Sequence, residues 1–140
     1  TYIFQDFALL PWRTVHGNVA LVLEDHRLSV SDRESIIADV LARTKLSEFA
    51  DALPKQLSGG MKQRVAIARA FVVQPAVLFA DEPTGNLDKR TGETVIDLLF
   101  RMNEDAGTTL MLVTHDLNLA ARCNRILYMD AGQIVPEPLH

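Results

Sequence analysis

The spacing of apolar residues changes along the chain, and each change predicts a different element. Tyr2, Ile3 and Phe4 form a short apolar piece suited to the end of a strand. Residues 6–13 stay apolar but are broken by Pro11, which predicts a loop carrying exposed hydrophobics. A helix is predicted to begin within residues 15–23. Ser31 and Glu34 stand in a capping-box pattern, with Ile36, Ile37, Val40 and Leu41 behind them at helical spacing. Residues 45–53 repeat that face with Leu46, Phe49, Ala50 and Leu53, until Pro54 stops the run.

Residues 60–73 predict a further helix, with Val65, Ala66, Ala68, Arg69 and Ala70 compatible with close packing and Pro75 ending it. Residues 76–80 are continuously apolar and predict a strand buried on two faces, and residues 108–113 predict another buried strand. Between them, residues 90–102 predict a helix with Val95, Ile96, Leu99 and Met102 inward. A short helix over 117–123 follows. Residues 126–129 and 133–135 then flank Asp130, Ala131 and Gly132, a hairpin signal. Buried strands alternating with helices give an α/β fold with a largely parallel sheet, and the middle of the chain reads as a small helical subdomain.

Composition narrows this only a little. The 140 residues suffice for one domain with a core, and a net charge of -4 gives no broad footprint for nucleic acid. The single cysteine, Cys123, excludes an internal disulfide framework. No apolar run is long enough to span a bilayer. The first residues lack the basic n-region of a signal peptide and read as the middle of a strand, so the chain is expected to begin inside a domain.

Chemistry-bearing residues gather in three places. The apolar run 77–80 ends in Asp81 and Glu82, at the sheet edge where α/β proteins bind ligands. An acid there holds Mg²⁺ in nucleotide hydrolases, and a neighbouring acid can activate water. Taken alone, the pair also fits a solvated acidic turn. Ser58, Gly59 and Gly60 open a helix whose free N–H groups favour an anion, although an ordinary helix start looks the same. His115 follows the second buried strand and stands beside Asp116, which also fits a simple cap. His16, His26 and His140 have no such setting and read as surface residues. No Gly-x-x-x-x-Gly-Lys-[Ser/Thr] loop occurs in the chain.

Together these residues resemble the ATP-binding-cassette ATPase family. Residues 57–63 resemble its signature motif, 78–82 Walker B with the catalytic glutamate, and 85–88 the D-loop. His115 resembles the switch histidine and Gln5 the Q-loop glutamine. The resemblance implies a P-loop NTPase-type sheet without its Walker A strand and loop. Residues of about 15–75 would form the helical subdomain, and 1–5 and 76–140 part of the RecA-like core.

The resemblance also implies roles. Glu82 would be the general base, Asp81 would support Mg²⁺, and Gln5 would ligate Mg²⁺ and sense the attacking water. His115 would contact the γ-phosphate of ATP. Ser58, Gly59 and Gly60, with Gln63 in the same nucleotide-binding set, would complete the site of a second ATPase subunit, and Asp88 would act across that interface. The pair would be a head-to-tail homodimer. Phe7, Leu9, Leu10 and Trp12, after the Q-loop, would divide between the core and a membrane permease partner. The protein would be cytoplasmic and peripheral on the inner face of the cell membrane, driving transport by ATP hydrolysis, with no nucleic-acid partner. A soluble, non-transport cassette is the competing class.

The stretches 78–88 and 107–124 resemble the lipoprotein-release and macrolide-export branch, whereas 9–15 resembles nitrate, sulfonate and taurine importers; the longer match favours the first. Met61 replaces the usual glutamine of the signature. The family's Walker A segment, the main phosphate cradle, precedes the position of Gln5, so the 140 residues are expected to be ATPase-incompetent alone. Its strand is expected beside Walker B, which would leave an apolar gap between residues 77–80 and 110–113.

Overall fold

The computed structural model describes residues 1–138, so His140 lies outside the described residues. Strand β1 (Tyr2–Ile3) leads into helices α1 (Val15–Leu21), α2 (Val30–Arg43) and α3 (Gly59–Phe71). Strand β2 (Val77–Asp81), helix α4 (Lys89–Ala106), strand β3 (Thr109–Val113) and the short helix α5 (Leu117–Ala120) follow. Strands β4 (Tyr128–Asp130) and β5 (Gln133–Val135) close the described chain.

The sheet order is β1-β2-β3, all parallel. Strand β2 pairs with β3 along its whole length, from Val77 opposite Thr109 to Asp81 opposite Val113. The expected apolar gap between these strands is therefore absent: a continuous ladder joins them. A parallel pair needs a crossover, and α4 supplies it between β2 and β3, while α1, α2 and α3 lie between β1 and β2. Strands β4 and β5 form the predicted hairpin, with Ala131 and Gly132 both at positive φ, as a two-residue turn of that kind requires.

The strands are not buried on two faces. Leu78 and Ala80 are fully enclosed, but Val77 is 40% and Phe79 38% exposed, and Met111 and Val113 on β3 are half exposed. A strand's side chains alternate between faces, and among the described residues only one face of this sheet meets the helices. Ile3, Leu78 and Ala80 share a core with Val65, Ile67, Val95 and Leu99, which joins the sheet and the helical stretch into one apolar cluster.

Two local expectations shift. The cap of α2 is Ser29, whose hydroxyl accepts from Asp32 N, so Ser31 lies inside the helix. Residues 45–53 do not form a regular α-helix: Lys45 adopts φ +58° and only Ser47–Phe49 makes a 3-10 turn. Leu46 alone of that apolar set is fully buried. Helix α4 is longer than predicted, capped by the Asp88 carboxylate on Thr91 N and ended by left-handed Gly107.

Candidate functional site

The carboxyl ends of β2 and β3 bring Glu82 and His115 together. The Glu82 amide donates to Val113 O at 2.8 Å, extending the β2–β3 ladder by one bond. This tie holds Glu82 at φ +45°, a left-handed conformation that costs a non-glycine residue about 1–2 kcal/mol. Its Oε1 accepts from the His115 amide at 3.0 Å and lies 2.7 Å from His115 Nδ1. Both contacts fall on one oxygen, which leaves Oε2 able to accept from water. Glu82 is half-buried, whereas the His115 side chain is 89% exposed.

Asp81 ends β2 one residue earlier, and Tyr2 Oη donates to its Oδ2 at 3.2 Å. Desolvation first, and then the Asp81 hydrogen bond and charge, push the Tyr2 hydroxyl above its ordinary value, so the phenol stays a donor. Nothing in the sequence marked Tyr2 as a neighbour of Asp81. The parallel register, which sets Tyr2 opposite Phe79, creates the contact. Among the described residues no cluster of three or more His, Cys, Asp or Glu could hold a metal ion. Asp81 offers a single carboxylate, so a divalent cation there would need further ligands, such as phosphate or water oxygens.

Gln5 meets the turn after β2. Asn86 Nδ2 donates to Gln5 O at 3.0 Å, and Gln5 Nε2 donates to Asn86 Oδ1 at 3.3 Å. The contact needs Gly85, where an added Cβ would fall 2.4 Å from Gln5 Nε2.

The glycine-opened helix start lies on the same side. The exposed Ser58 caps α3 by accepting from Met61 N at 3.2 Å, an ordinary N-cap. Gly59 is half-buried beside Leu87, while Gly60 is buried, and a Cβ there would fall 2.5 Å from Thr91 Cγ2. Close packing against the start of α4 thus requires a glycine at position 60 whatever ligand comes near. Asp88, exposed at the same corner, is held below its ordinary carboxylate value by its hydrogen bonds from Thr91.

Gln63 is fully buried and does not face solvent. Its Nε2 donates to Phe4 O at 3.2 Å and also contacts Pro83 O, so its amide ties together the residues flanking Gln5 and Glu82. Its Oε1 is buried without a partner. Arg69 was legible only as a packing position, yet its guanidinium reaches Ala8 O at 2.7 Å and Phe7 O at 3.1 Å.

The loop after Gln5 is pinned by a residue that sequence reasoning missed. Asn18 is fully buried. Its Oδ1 accepts from Leu10 N at 2.8 Å, and its Nδ2 donates to the carbonyls of Leu10, Arg13 and Thr14 at 3.0–3.2 Å. The one available signal was a polar residue inside the apolar stretch 15–23. Phe7, Leu9 and Leu10 are half-buried, Leu9 packing on the core, whereas Trp12 stands 73% exposed.

Comparison with known proteins places the chain in a family. The family model described as ABC transporter matches residues 1–85. The ABC transporter ATP-binding protein YbbA of Escherichia coli strain K12 is 48% identical over 136 residues, which cover 97% of this chain and 60% of that protein. The ATP-binding cassette MJ0796, in a dimeric post-hydrolysis state bound to ADP and Pi, superposes with a TM-score of 0.81 at 40% identity, covering 98% of this chain and 61% of its own. CbiO1 of Clostridium perfringens, part of the ABC transporter complex cbiONQ, gives a TM-score of 0.87 at 30% identity, covering 96% of this chain and 55% of its own. The chain thus spans about 60% of the length of the E. coli relative.

Proposed function

The chain belongs to the ABC transporter family, and from that premise we propose that the whole protein is the ATP-binding subunit of a membrane transporter. It hydrolyses ATP to ADP and phosphate and passes the work to a permease. The observation that carries this reading is the Glu82–His115 pair, 2.7 Å apart at the carboxyl ends of two adjacent parallel strands.

In this reading Glu82 takes the proton of the water that attacks the γ-phosphorus, using the carboxylate oxygen that His115 leaves unengaged. His115 orients Glu82 through its backbone amide and ring, and its exposed ring reaches the γ-phosphate. Asp81 and Gln5 would hold Mg²⁺, which supplies charge neutralisation at the β- and γ-phosphates. Ser58, Gly59 and Gly60 present the start of α3 to the nucleotide of a second subunit, and Asp88 acts across that interface. Gln63 serves this set from inside, through backbone, rather than by touching nucleotide.

Resemblance to dimeric cassettes supports a head-to-tail homodimer, and the relation to a transporter complex supports a permease partner. Trp12 is the residue of the 7–12 stretch best placed to meet it, while Leu9 belongs to the core. Among the described residues no helix is long and apolar enough to cross a membrane, so membrane association would run through that partner, on the cytoplasmic face. Within the chain, residues of about 15–75 would act as the helical subdomain, and residues 1–5 and 76–140 as part of the nucleotide-binding core.

The test is Glu82→Gln in the whole protein. Mg-ATP binding should persist while turnover falls by at least about a thousandfold, the scale of losing an essential base. Hydrolysis at the wild-type rate would remove Glu82 from this role. Residues 1–140 alone, which contain no Gly-x-x-x-x-Gly-Lys-[Ser/Thr] loop, should show negligible hydrolysis in the same assay.

A further inference from the structure

Residues 4–8 carry Gln5, and α3 grips this segment at both ends. On one side Gln63 Nε2 donates to Phe4 O at 3.2 Å. On the other, Arg69 Nη1 donates to Ala8 O at 2.7 Å and Nη2 to Phe7 O at 3.1 Å. Phe7 and Ala8 are consecutive non-glycine residues in the left-handed region, at φ +65° and +50°. Such a pair persists only when its surroundings hold it there. Ala8 N also donates to Asp6 O at 2.8 Å, which closes the turn tightly on itself.

We propose that Arg69 is a positioning residue for the ATPase site: it locks the Phe7–Ala8 turn in its left-handed form and thereby fixes Gln5 against Asn86 in the turn after β2. The inference rests on the ATPase reading above, in which Gln5 serves the nucleotide. A guanidinium suits the task because its planar fork offers two donors at a fixed spacing. Two adjacent carbonyls meet that fork here. A lysine has a single ammonium on a flexible stem and cannot hold both in one geometry. The Arg69 guanidinium is half-buried, and burial pushes it below its ordinary value without discharging it. A cation drawn partly out of water needs acceptors, and the turn provides them. Because Arg69 and Gln63 share the helix that Ser58 caps, any shift of α3 is transmitted to both sides of Gln5.

The test uses the whole protein with Arg69→Lys and with the double variant Arg69→Lys/Ala8→Gly. Arg69→Lys should lower kcat about tenfold with KM for Mg-ATP changed less than about twofold, because a misplaced Gln5 harms the chemical step more than binding. Amide hydrogen exchange over residues 4–8, measured without nucleotide, should accelerate. Adding Ala8→Gly should recover most of the lost kcat, since glycine adopts the left-handed turn unaided. A role confined to packing α3 would not respond to glycine at an exposed position of the loop.

An unchanged kcat with unchanged exchange would overturn the proposal, as would a loss that glycine leaves in place. Should the Lys variant fail to fold, Arg69→Gln, which keeps one amide donor, takes its place with the same expected loss and the same glycine rescue. A wild-type protein that hydrolyses no ATP would instead sink the ATPase reading. The exchange comparison would still report whether Arg69 holds the turn.

Discussion

The two faces of the three-stranded sheet carry similar residues and live in different surroundings. On one face, Ile3, Leu78 and Ala80 are completely enclosed against α3 and α4. On the other, Tyr2, Val77, Phe79, Met111 and Val113 are between 38% and 52% exposed. An apolar run without alternation suits a strand covered on both sides. These runs are therefore composed for two covers, and the described residues provide one. The difference separates what a sequence demands from what a given stretch of chain can satisfy. It also locates the stability of these 140 residues on the helical side of the sheet.

The largest test of that contrast is Leu78→Ala. Removing a fully enclosed leucine should cost about 2–5 kcal/mol in chemical denaturation, the usual transfer plus cavity loss. Met111→Thr, at a half-exposed position of the opposite face, should stay within about 0.5 kcal/mol in residues 1–140. A loss comparable with that of Leu78→Ala, measured in the whole protein, would mean that the open face is covered there. Equal costs in residues 1–140 would break the contrast outright.

The smallest expected effect lies at the corner of α4. The Asp88 carboxyl is held below the ordinary aspartate value chiefly by the hydrogen bonds from Thr91. A group with a depressed folded pKa contributes stability above its unfolded value and loses it as pH falls through the folded one. Wild type should therefore lose its advantage over Asp88→Asn as pH drops below the ordinary aspartate range, read as converging denaturation midpoints. Curves that stay parallel down to strongly acidic pH would show that the charge of Asp88 does not strengthen the cap.

Much of this architecture was legible because its signals are local. The apolar runs announced β2 and β3, and Asp130, Ala131 and Gly132 announced the hairpin turn. Asp81, Glu82 and His115 were legible as strand-end residues, and parallel pairing carries Glu82 and His115 to the same edge. What escaped depends on contacts distant in sequence. The capping-box pattern of Ser31 and Glu34 is a local signal, yet the helix starts two residues earlier, with Ser29 as its cap. Leu46, Phe49, Ala50 and Leu53 have helical spacing, but the left-handed Lys45 and a short 3-10 turn bury Leu46 without a regular helix and leave Phe49 exposed. Gln63 carried a ligand-binding expectation by its place near the signature, whereas its amide is spent on two backbone carbonyls. Arg69 and Asn18 act through side-chain to backbone bonds, which leave no periodicity to detect.

Asn18 has one consequence outside folding. Its side chain fixes the carbonyls and amide of residues 10–14, so Trp12 projects from a stiff mount rather than a loose loop. A partner that docked on a tryptophan carried by an already pinned backbone would forfeit little backbone freedom. Recognition at this corner would then discriminate by backbone shape: a partner surface either accommodates residues 10–14 as they stand or meets a steric barrier that the pinned loop does not relax.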